Sequence, residues 1–178
     1  MITNNFKACL QMILQSGVNS NGIVAAKDVT GATKYLGAYF SSSDGYPNKT
    51  DNNIRIASST TYAGIYLGTS NTPATASDYF VGSVITSGLT AGTPSVSLGV
   101  DENGNPYKQI VVLLTNTTAS DIVVKEVGYV QQFFAANAIL TSPSLLRFLL
   151  DRTVLPSPLT VPANGSAALK YTLKTIIS

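Results

Sequence analysis

The side chains that most enzymes use for catalysis are scarce in this 178-residue chain. It contains no histidine, one cysteine (Cys9) and nine acidic residues. The lack of histidine excludes Ser-His-Asp and Cys-His catalysis, His-containing zinc sites and histidine pH switches. A single cysteine cannot form an internal disulfide or a multi-cysteine metal site, and the apolar neighbours of Cys9 predict an inert packed residue. Paired-carboxylate chemistry, as in glycosidases, stays open.

Two segments rich in Asp and Asn could supply oxygen ligands to a cation. Residues 101–105 (Asp-Glu-Asn-Gly-Asn) lack the spaced ligands and the terminal bidentate glutamate of an EF-hand. Asn103-Gly104 between two β-like runs indicates a hairpin turn instead. Asp44 and residues 51–53 are interpreted as part of a solvated loop. No phosphate-binding loop, dinucleotide motif or nucleophile elbow occurs in the sequence, so we expect no enzyme activity, cofactor or metal.

Tyrosine is the side chain best suited to binding a partner. The chain has nine tyrosines and no tryptophan. Tyrosines on loops make good contacts with proteins and sugars, but they are also ordinary β-sheet residues. Six of them lie in the first half of the chain: Tyr35, Tyr39, Tyr46, Tyr62, Tyr66 and Tyr79.

The spacing of apolar residues near the start predicts an amphipathic helix over residues 4–15. Thr3 or Asn4 can cap this helix and Gly17 can end it. A helix of this length is marginal alone in water, so it must dock on its own domain or act as an arm on another subunit. Its apolar face, with the spacing i, i+4, i+7 and i+8, is our candidate interface: Phe6, Leu10, Ile13 and Leu14.

After Gly17 the pattern becomes that of β-strands separated by Gly, Pro, Asn and Asp clusters. We therefore divide the chain into residues 1–16 (helix or docking arm) and residues 17–178 (β-sandwich domain). Two long polar loops, 41–53 and 69–79, have lengths that are usually functional or interfacial. The candidate strands are Ile23–Val29, Lys34–Phe40, Ala63–Gly68, Phe80–Thr86, Ser95–Val100, Tyr107–Thr115, Ile122–Gln131, a piece of Leu145–Thr153, and Ala167–Ile177.

Three of these segments make specific structural demands. Residues 167–174 alternate between apolar and polar, which predicts one buried and one wet face. Residues 110–114 are apolar at every position, which predicts burial of both faces under a covering element or at a subunit contact. Residues 145–152 fit either a helix or a strand. Ser142-Pro143 is a good helix start and Arg147 with Asp151 makes an i, i+4 pair, so periodicity alone leaves both open.

Charge is the most unusual feature of the composition. Only 11% of the residues are charged, against about a quarter in soluble domains. Such a surface favours a subunit covered by neighbours, although a monomer solvated by hydroxyl and amide groups is the alternative. The basic residues form no cluster, so nucleic acid is not an expected partner. No apolar run approaches the roughly 18 to 20 residues needed to span a bilayer, and no signal peptide is recognised, so we expect no membrane partner.

Several segments, taken in order along nearly the whole chain, resemble a known class of protein. They carry turns and strand alternation characteristic of small structural proteins from virions of tailed bacteriophages, at the capsid surface, neck or tail. The resemblance implies a β-sandwich subunit without catalytic residues, and it favours a strand at 145–152. The segments are 4–6, 67–79, 116–118, 124–129, 150–152, 161–166 and 171–173.

These observations lead to a mainly β fold, an antiparallel β-sandwich of jelly-roll or Ig-like type with a short N-terminal α-helix. The expected function is that of a non-enzymatic virion subunit, made in the host bacterial cytoplasm, which assembles with its own copies and with other virion proteins. The alternative is a Tyr-rich binding module for carbohydrate or a host receptor, including a host-surface glycan. A bacterial surface or pilus subunit is a third hypothesis, which the missing signal peptide disfavours.

Overall fold

The computed structural model describes residues 1–15, 23–36, 52–56, 62–136 and 144–174. These residues form a mainly β fold with one short helix at the N-terminus. The predicted helix is confirmed with the expected bounds, and most of the predicted strands are present. The elements are α1 (Asn4–Gln15), β1 (Val24–Lys27), β2 (Thr33–Leu36), β3 (Ile54–Arg55), β4 (Gly64–Gly68), β5 (Leu89–Ala91), β6 (Ser95–Val100), β7 (Pro106–Asn116), β8 (Ile122–Ala136), β9 (Ser144–Val161) and β10 (Ser166–Lys174).

The first sheet, sheet A, is built around β8. Strand β9 pairs antiparallel along one side of β8, while β4 and β2 pair one after the other along its opposite side. Strands β1 and β3 extend the sheet beyond β2 and β4. The pairing of β3 with β4 is parallel, so the sheet is mixed where we predicted antiparallel strands throughout. Because β8 has neighbours on both sides, it is buried along most of its length.

The second sheet, sheet B, is built around β7. Strand β10 pairs with one side of β7 over nine residues, and β6 and β5 share the other side. All of these pairings are antiparallel. Strand β6 therefore lies at an edge of sheet B, and no other described strand pairs with it.

One hydrophobic core joins the two sheets. Side chains from β7 and β10, such as Ile110 and Leu169, belong to the same buried cluster as Val127 and Phe148 from β8 and β9. The two sheets thus bury their inward-facing apolar residues against each other, which is the main favourable term for a domain of this size. How far this shared core extends determines which strand faces remain exposed to solvent.

The ambiguous segment 145–152 is a strand, and the helical alternative is wrong. It lies inside β9, which pairs with β8 from Ser144 to Val161 with two register irregularities. Local helix signals are weak because they stabilise only one turn, whereas pairing with β8 supplies hydrogen bonds along the whole segment.

The predicted strand Phe80–Thr86 is wrong. It is reduced to one isolated bridge between Gly68 and Val84. The amides of Gly82 and Ser83 donate to the carboxylate of Glu126 instead of to a neighbouring strand. A buried side chain has thus taken the hydrogen bonds that a regular strand needs.

Some predictions fall partly or wholly outside the described residues. They are the greater part of loop 41–53, the second half of the predicted strand 34–40, and the last residues of the predicted strand 167–177. Loop 69–79 is described and lacks regular strand structure.

The register of β10 yields a first prediction. Leu169 and Tyr171 are buried, whereas Lys170 and Lys174 are exposed, as the alternation of the sequence predicts. We expect Leu169→Ala to lower the free energy of unfolding by about 2–5 kcal/mol, because it leaves a cavity in the shared core. Lys170→Ala should change it by less than about 0.5 kcal/mol. Urea denaturation measures both, and the opposite order would show that the strand is shifted by one residue.

Candidate functional site

The N-terminal helix α1 packs on its own sheet through small and polar side chains. It contacts β1, β2 and β9, and over residues 4–11, whose side chains are described, the buried residues are Asn5, Ala8 and Cys9, spaced i, i+3 and i+4. The Asn5 amide donates to the carbonyl of Lys27 at 2.7 Å and accepts from its N–H at 3.0 Å. This paired hydrogen bond copies the bonding of a neighbouring strand, so Asn5 docks the helix onto β1.

Of the four candidate interface residues, Phe6 and Leu10 have described side chains, and these two are placed differently. Phe6 is partly buried against the shared core, whereas Leu10 is 46% exposed. The side chains of Ile13 and Leu14 lie outside the described residues. Apolar spacing did not indicate Asn5, because the sequence pattern does not show that its amide is satisfied by a strand backbone and can be buried.

The most exposed apolar side chains of the described residues lie on the edge strand β6. Leu98 is 78% exposed, and Val96 and Val100 on either side of it are exposed as well. Val96 and Leu98 lie opposite Ile110 and Lys108 of β7, so they point toward the same side of sheet B as the core. We call Val96, Leu98 and Val100 the β6 row. Sheet A does not cover this row, and large apolar side chains are left in contact with solvent.

Next to the β6 row lies an open, mainly apolar groove of about 800 Å³. Its lining includes Ile2, Phe6, Leu98 and Leu173 together with the side chain of Lys108. The Lys108 ammonium donates to the hydroxyl of Tyr129 at 2.8 Å and lies 5.0 Å from the centroid of that ring. Burial lowers the pKa of Lys108. The groove thus combines mainly apolar walls with charged side chains, since Lys174 and Asp151 line it as well as Lys108.

The opposite face of β7 is also apolar and open. Val111 and Leu113 are exposed, with Leu113 at 54%. The prediction that residues 110–114 are covered on both faces is therefore met on only one face by the described residues. Lys170 lies opposite Val111 and Ala168 lies opposite Leu113 on β10. These neighbours make this face more mixed in polarity than the β6 row.

Arg152 pairs with Glu126 and Asp78, two described carboxylates that could have formed a catalytic pair. The Nε atom of Arg152 donates to Glu126 at 2.7 Å, and its NH1 atom donates to Asp78 at 2.8 Å. A third bond runs from NH2 to the carbonyl of Thr72. Glu126 is fully buried and Arg152 nearly so. Both carboxylates thus pair with one shared cation, which suits a structural role better than acid–base catalysis.

Backbone amides donate hydrogen bonds to the remaining acceptor positions of the Glu126 carboxylate. Ser70 and Ser83 donate to Oε1, and Gly82 donates to Oε2. A side chain at Gly68, directly opposite on β4, would collide with this carboxylate, so the position requires glycine. The arrangement leaves no oxygen of Glu126 turned toward solvent or substrate.

A second buried carboxylate, Asp151, is also engaged. It accepts from the hydroxyl of Tyr171 at 2.5 Å and from that of Thr153 at 2.9 Å, and it pairs with the amino group of Met1 at 3.0 Å. Burial, and then the nearby Asp151 charge, raise the pKa of Tyr171. This phenol therefore stays protonated and acts as a hydrogen-bond donor.

The other sequence candidates for chemistry also have structural roles. Burial raises the pKa of Cys9 to about 12, which makes it the inert packed residue that was predicted. Asp101 accepts from the amides of Asn103 and Asn105 and pairs with Lys174, and Gly104 adopts a positive φ of 79°. Residues 101–105 are thus the predicted turn between β6 and β7.

The tyrosines divide between packing and exposure. Tyr66 is fully buried, while Tyr62 and Tyr79 are exposed. Tyr35 is half-buried, and Tyr39 and Tyr46 lie outside the described residues. Among the tyrosines of this cluster that the structure describes, Tyr62 and Tyr79 have the rings most open to a ligand.

Comparisons with known proteins give no identity for this chain. No protein-family profile, no curated protein and no solved structure matches it. Among the described residues, no group of three or more His, Cys, Asp and Glu side chains could hold a metal ion. No helix in the described part of the chain is long and apolar enough to cross a membrane.

The buried charges yield a second prediction. Arg152→Met leaves Glu126 without its cation, so we expect the free energy of unfolding to fall by about 3–5 kcal/mol. Lys170→Met, which removes an exposed positive charge of β10, is the matched control and should have little effect. Urea denaturation at neutral pH separates the two variants. Equal small effects would show that Glu126 does not depend on Arg152.

A third prediction concerns the acid dependence of stability. Burial alone would raise the pKa of Asp78, but hydrogen bonds from Thr75 and Arg152 outweigh it and hold this pKa below its ordinary value of 3.8. A lowered folded-state pKa contributes stability above the ordinary value, and this contribution is lost as the pH falls through the folded-state pKa. The stability difference between wild type and Asp78→Asn should therefore shrink below about pH 4. Urea titrations of both proteins across this range test it, and a constant difference would contradict it.

Proposed function

We propose that this chain is a non-enzymatic structural subunit of a bacteriophage virion, placed at the capsid surface, neck or tail. It assembles symmetrically with copies of itself and with other virion proteins. The observation that carries the proposal is the exposed β6 row in a chain of which only 11% of residues are charged. Monomeric proteins usually surround such apolar positions with charge, whereas an assembly subunit covers them with a neighbour.

The finer architecture belongs to the same proposal. We infer an antiparallel β-sandwich of jelly-roll or Ig-like type, which serves as a rigid block. The shared core between the two sheets supports it, and the parallel β3–β4 pair is a local departure. In this proposal the chain acts through its shape, because the rigid domain holds its exposed faces at fixed positions for contact with neighbouring subunits.

The engagement of the buried carboxylates supports the absence of catalysis. Arg152 pairs with both Glu126 and Asp78, and Asp151 pairs with the Tyr171 hydroxyl and the Met1 amino group. A glycosidase pair needs one carboxyl group that gives a proton and one that faces the substrate. The fully buried Glu126 faces no substrate, and Asp151, which lines the groove, is held by the Tyr171 hydroxyl and the Met1 amino group.

Immunogold labelling of virions tests this proposal. Antiserum against the purified chain is applied to particles purified from lysed cultures of the host that carries the sequence. We expect label at one morphological position in each particle, and no label after the serum is preadsorbed with the purified chain. Intact particles without label, in a lysate whose soluble fraction contains the chain, would contradict the virion assignment.

The exposed rings of Tyr62 and Tyr79 favour a second candidate, a binding module for carbohydrate or a host receptor. Aromatic rings beside a polar loop are suited to stacking on sugars. A glycan array probed with the purified chain distinguishes the two. Saturable binding that is lost in Tyr62→Ala and Tyr79→Ala would favour the binding module.

A further inference from the structure

The geometry points to the open edge of β6 as a homodimer contact, in which β6 of one chain pairs antiparallel with β6 of a second copy. This inference rests on the proposed assembly function and names the contact between copies. It joins two copies of sheet B into one continuous sheet. The occupant is a second copy of this chain, for reasons of backbone direction, register and charge.

The β6 edge lacks the protection that edge strands usually carry. Natural proteins guard a free edge with Lys, Pro, a bulge or a covering element. Residues 95–100, Ser-Val-Ser-Leu-Gly-Val, contain neither charge nor proline, and their pairing with β7 runs without a bulge. Among the described residues no strand pairs with the outer side of β6. An edge of this kind is a template for another strand.

The backbone N–H and C=O groups of the β6 row point away from β7, toward the open edge. In an antiparallel pair, successive residues point their N–H and C=O groups alternately toward and away from the partner strand. Asp101 donates to the carbonyl of Asn105 at 3.0 Å, so its amide is directed to the β7 side. Counting back from it, the residues of the β6 row turn their N–H and C=O groups away from β7. Val100 lies opposite Pro106, which has no N–H to give, and this agrees with the assignment.

A two-fold pairing centred on Leu98 satisfies side chains and backbone together. It sets Leu98 opposite Leu98 of the second copy, and it sets Val96 opposite Val100 in both directions. Each of these pairs exchanges two main-chain hydrogen bonds, because all three residues direct their backbone outward. The same register places all the apolar side chains of the row on one face, because the row occupies alternate positions.

Charge and size also favour self-pairing in an assembly. Two identical uncharged strands meet without like-charge repulsion, which a charged edge would impose on itself. One added strand pair is smaller than the roughly 1,200–2,000 Å² of a standard interface. We therefore expect a weak dimer in solution, which becomes strong when many copies are held side by side.

Disulfide trapping tests the register. Leu98→Cys should form a cross-linked dimer when the full chain is incubated with oxidised glutathione, because residues of a hydrogen-bonded pair have Cα atoms about 5.5 Å apart. Leu113→Cys, exposed on the other face of sheet B, is the matched control and should cross-link far less. The buried Cys9 is common to both variants. Equal cross-linking of the two, or none in either, would overturn the proposal.

A charge substitution tests the energetics. Leu98→Lys sets two lysines opposite each other, so sedimentation equilibrium should show dimer association at least about tenfold weaker than in wild type. Leu113→Lys should dimerise like wild type. Circular dichroism verifies that both variants fold. Loss of dimer in both or in neither would overturn the β6 contact.

The two tests separate this inference from the proposed function. Cross-linked dimers together with unlabelled virions would retain the β6 contact and reject the virion role. Labelled virions together with unaltered assembly of Leu98→Lys would retain the virion role and reject the contact. If Leu98→Lys blocks assembly but Leu98→Cys does not cross-link, the edge takes a strand of another protein and the self-pairing is wrong.

Discussion

Arg152 of β9 places its guanidinium between Glu126 of β8, Asp78 and the carbonyl of Thr72. An ion pair of this kind contributes little net stability compared with apolar residues of the same shape, but removing one partner leaves a buried charge. Sheet A and the segment 69–83 are therefore held together by the requirement that Arg152 stays paired with Glu126 and Asp78. This explains how a long segment without strands keeps one arrangement on the face of sheet A.

Local sequence patterns were sufficient for most of the elements. The helix at 4–15, the turn at 101–105 and the alternation of β10 follow from spacing and turn chemistry within a few residues. The patterns failed where a distant group decided the outcome. Residues 80–86 have the composition of a strand, yet Glu126 accepts from the amides of Gly82 and Ser83. The parallel β3–β4 pair depends on a chain path that periodicity does not encode.

The sequence drew attention to apolar surface but did not indicate the β6 row. Low charge was the first reason to look for such a surface, and residues 110–114 indicated that one strand of sheet B presents apolar residues on both faces. The helix was selected because its apolar spacing was the clearest, whereas Asn5 turned another face inward. The β6 row was missed, although alternate valines and leucine are visible in residues 95–100. Their exposure depends on where sheet A ends, which is a property of the packed sheets.

The chain order of sheet B has a consequence for folding during synthesis. Strand β7 is followed by β8 and β9, which belong to sheet A, and its partner β10 comes only after them. Until β10 emerges from the ribosome, nine residues of β7 lack the strand that pairs with one of their edges. Contacts between residues so far apart in sequence form slowly, and open edges associate with other chains. Strand β10 thus completes sheet B, and a nascent chain stalled before residue 166 exposes the edge of β7 to which β10 would pair.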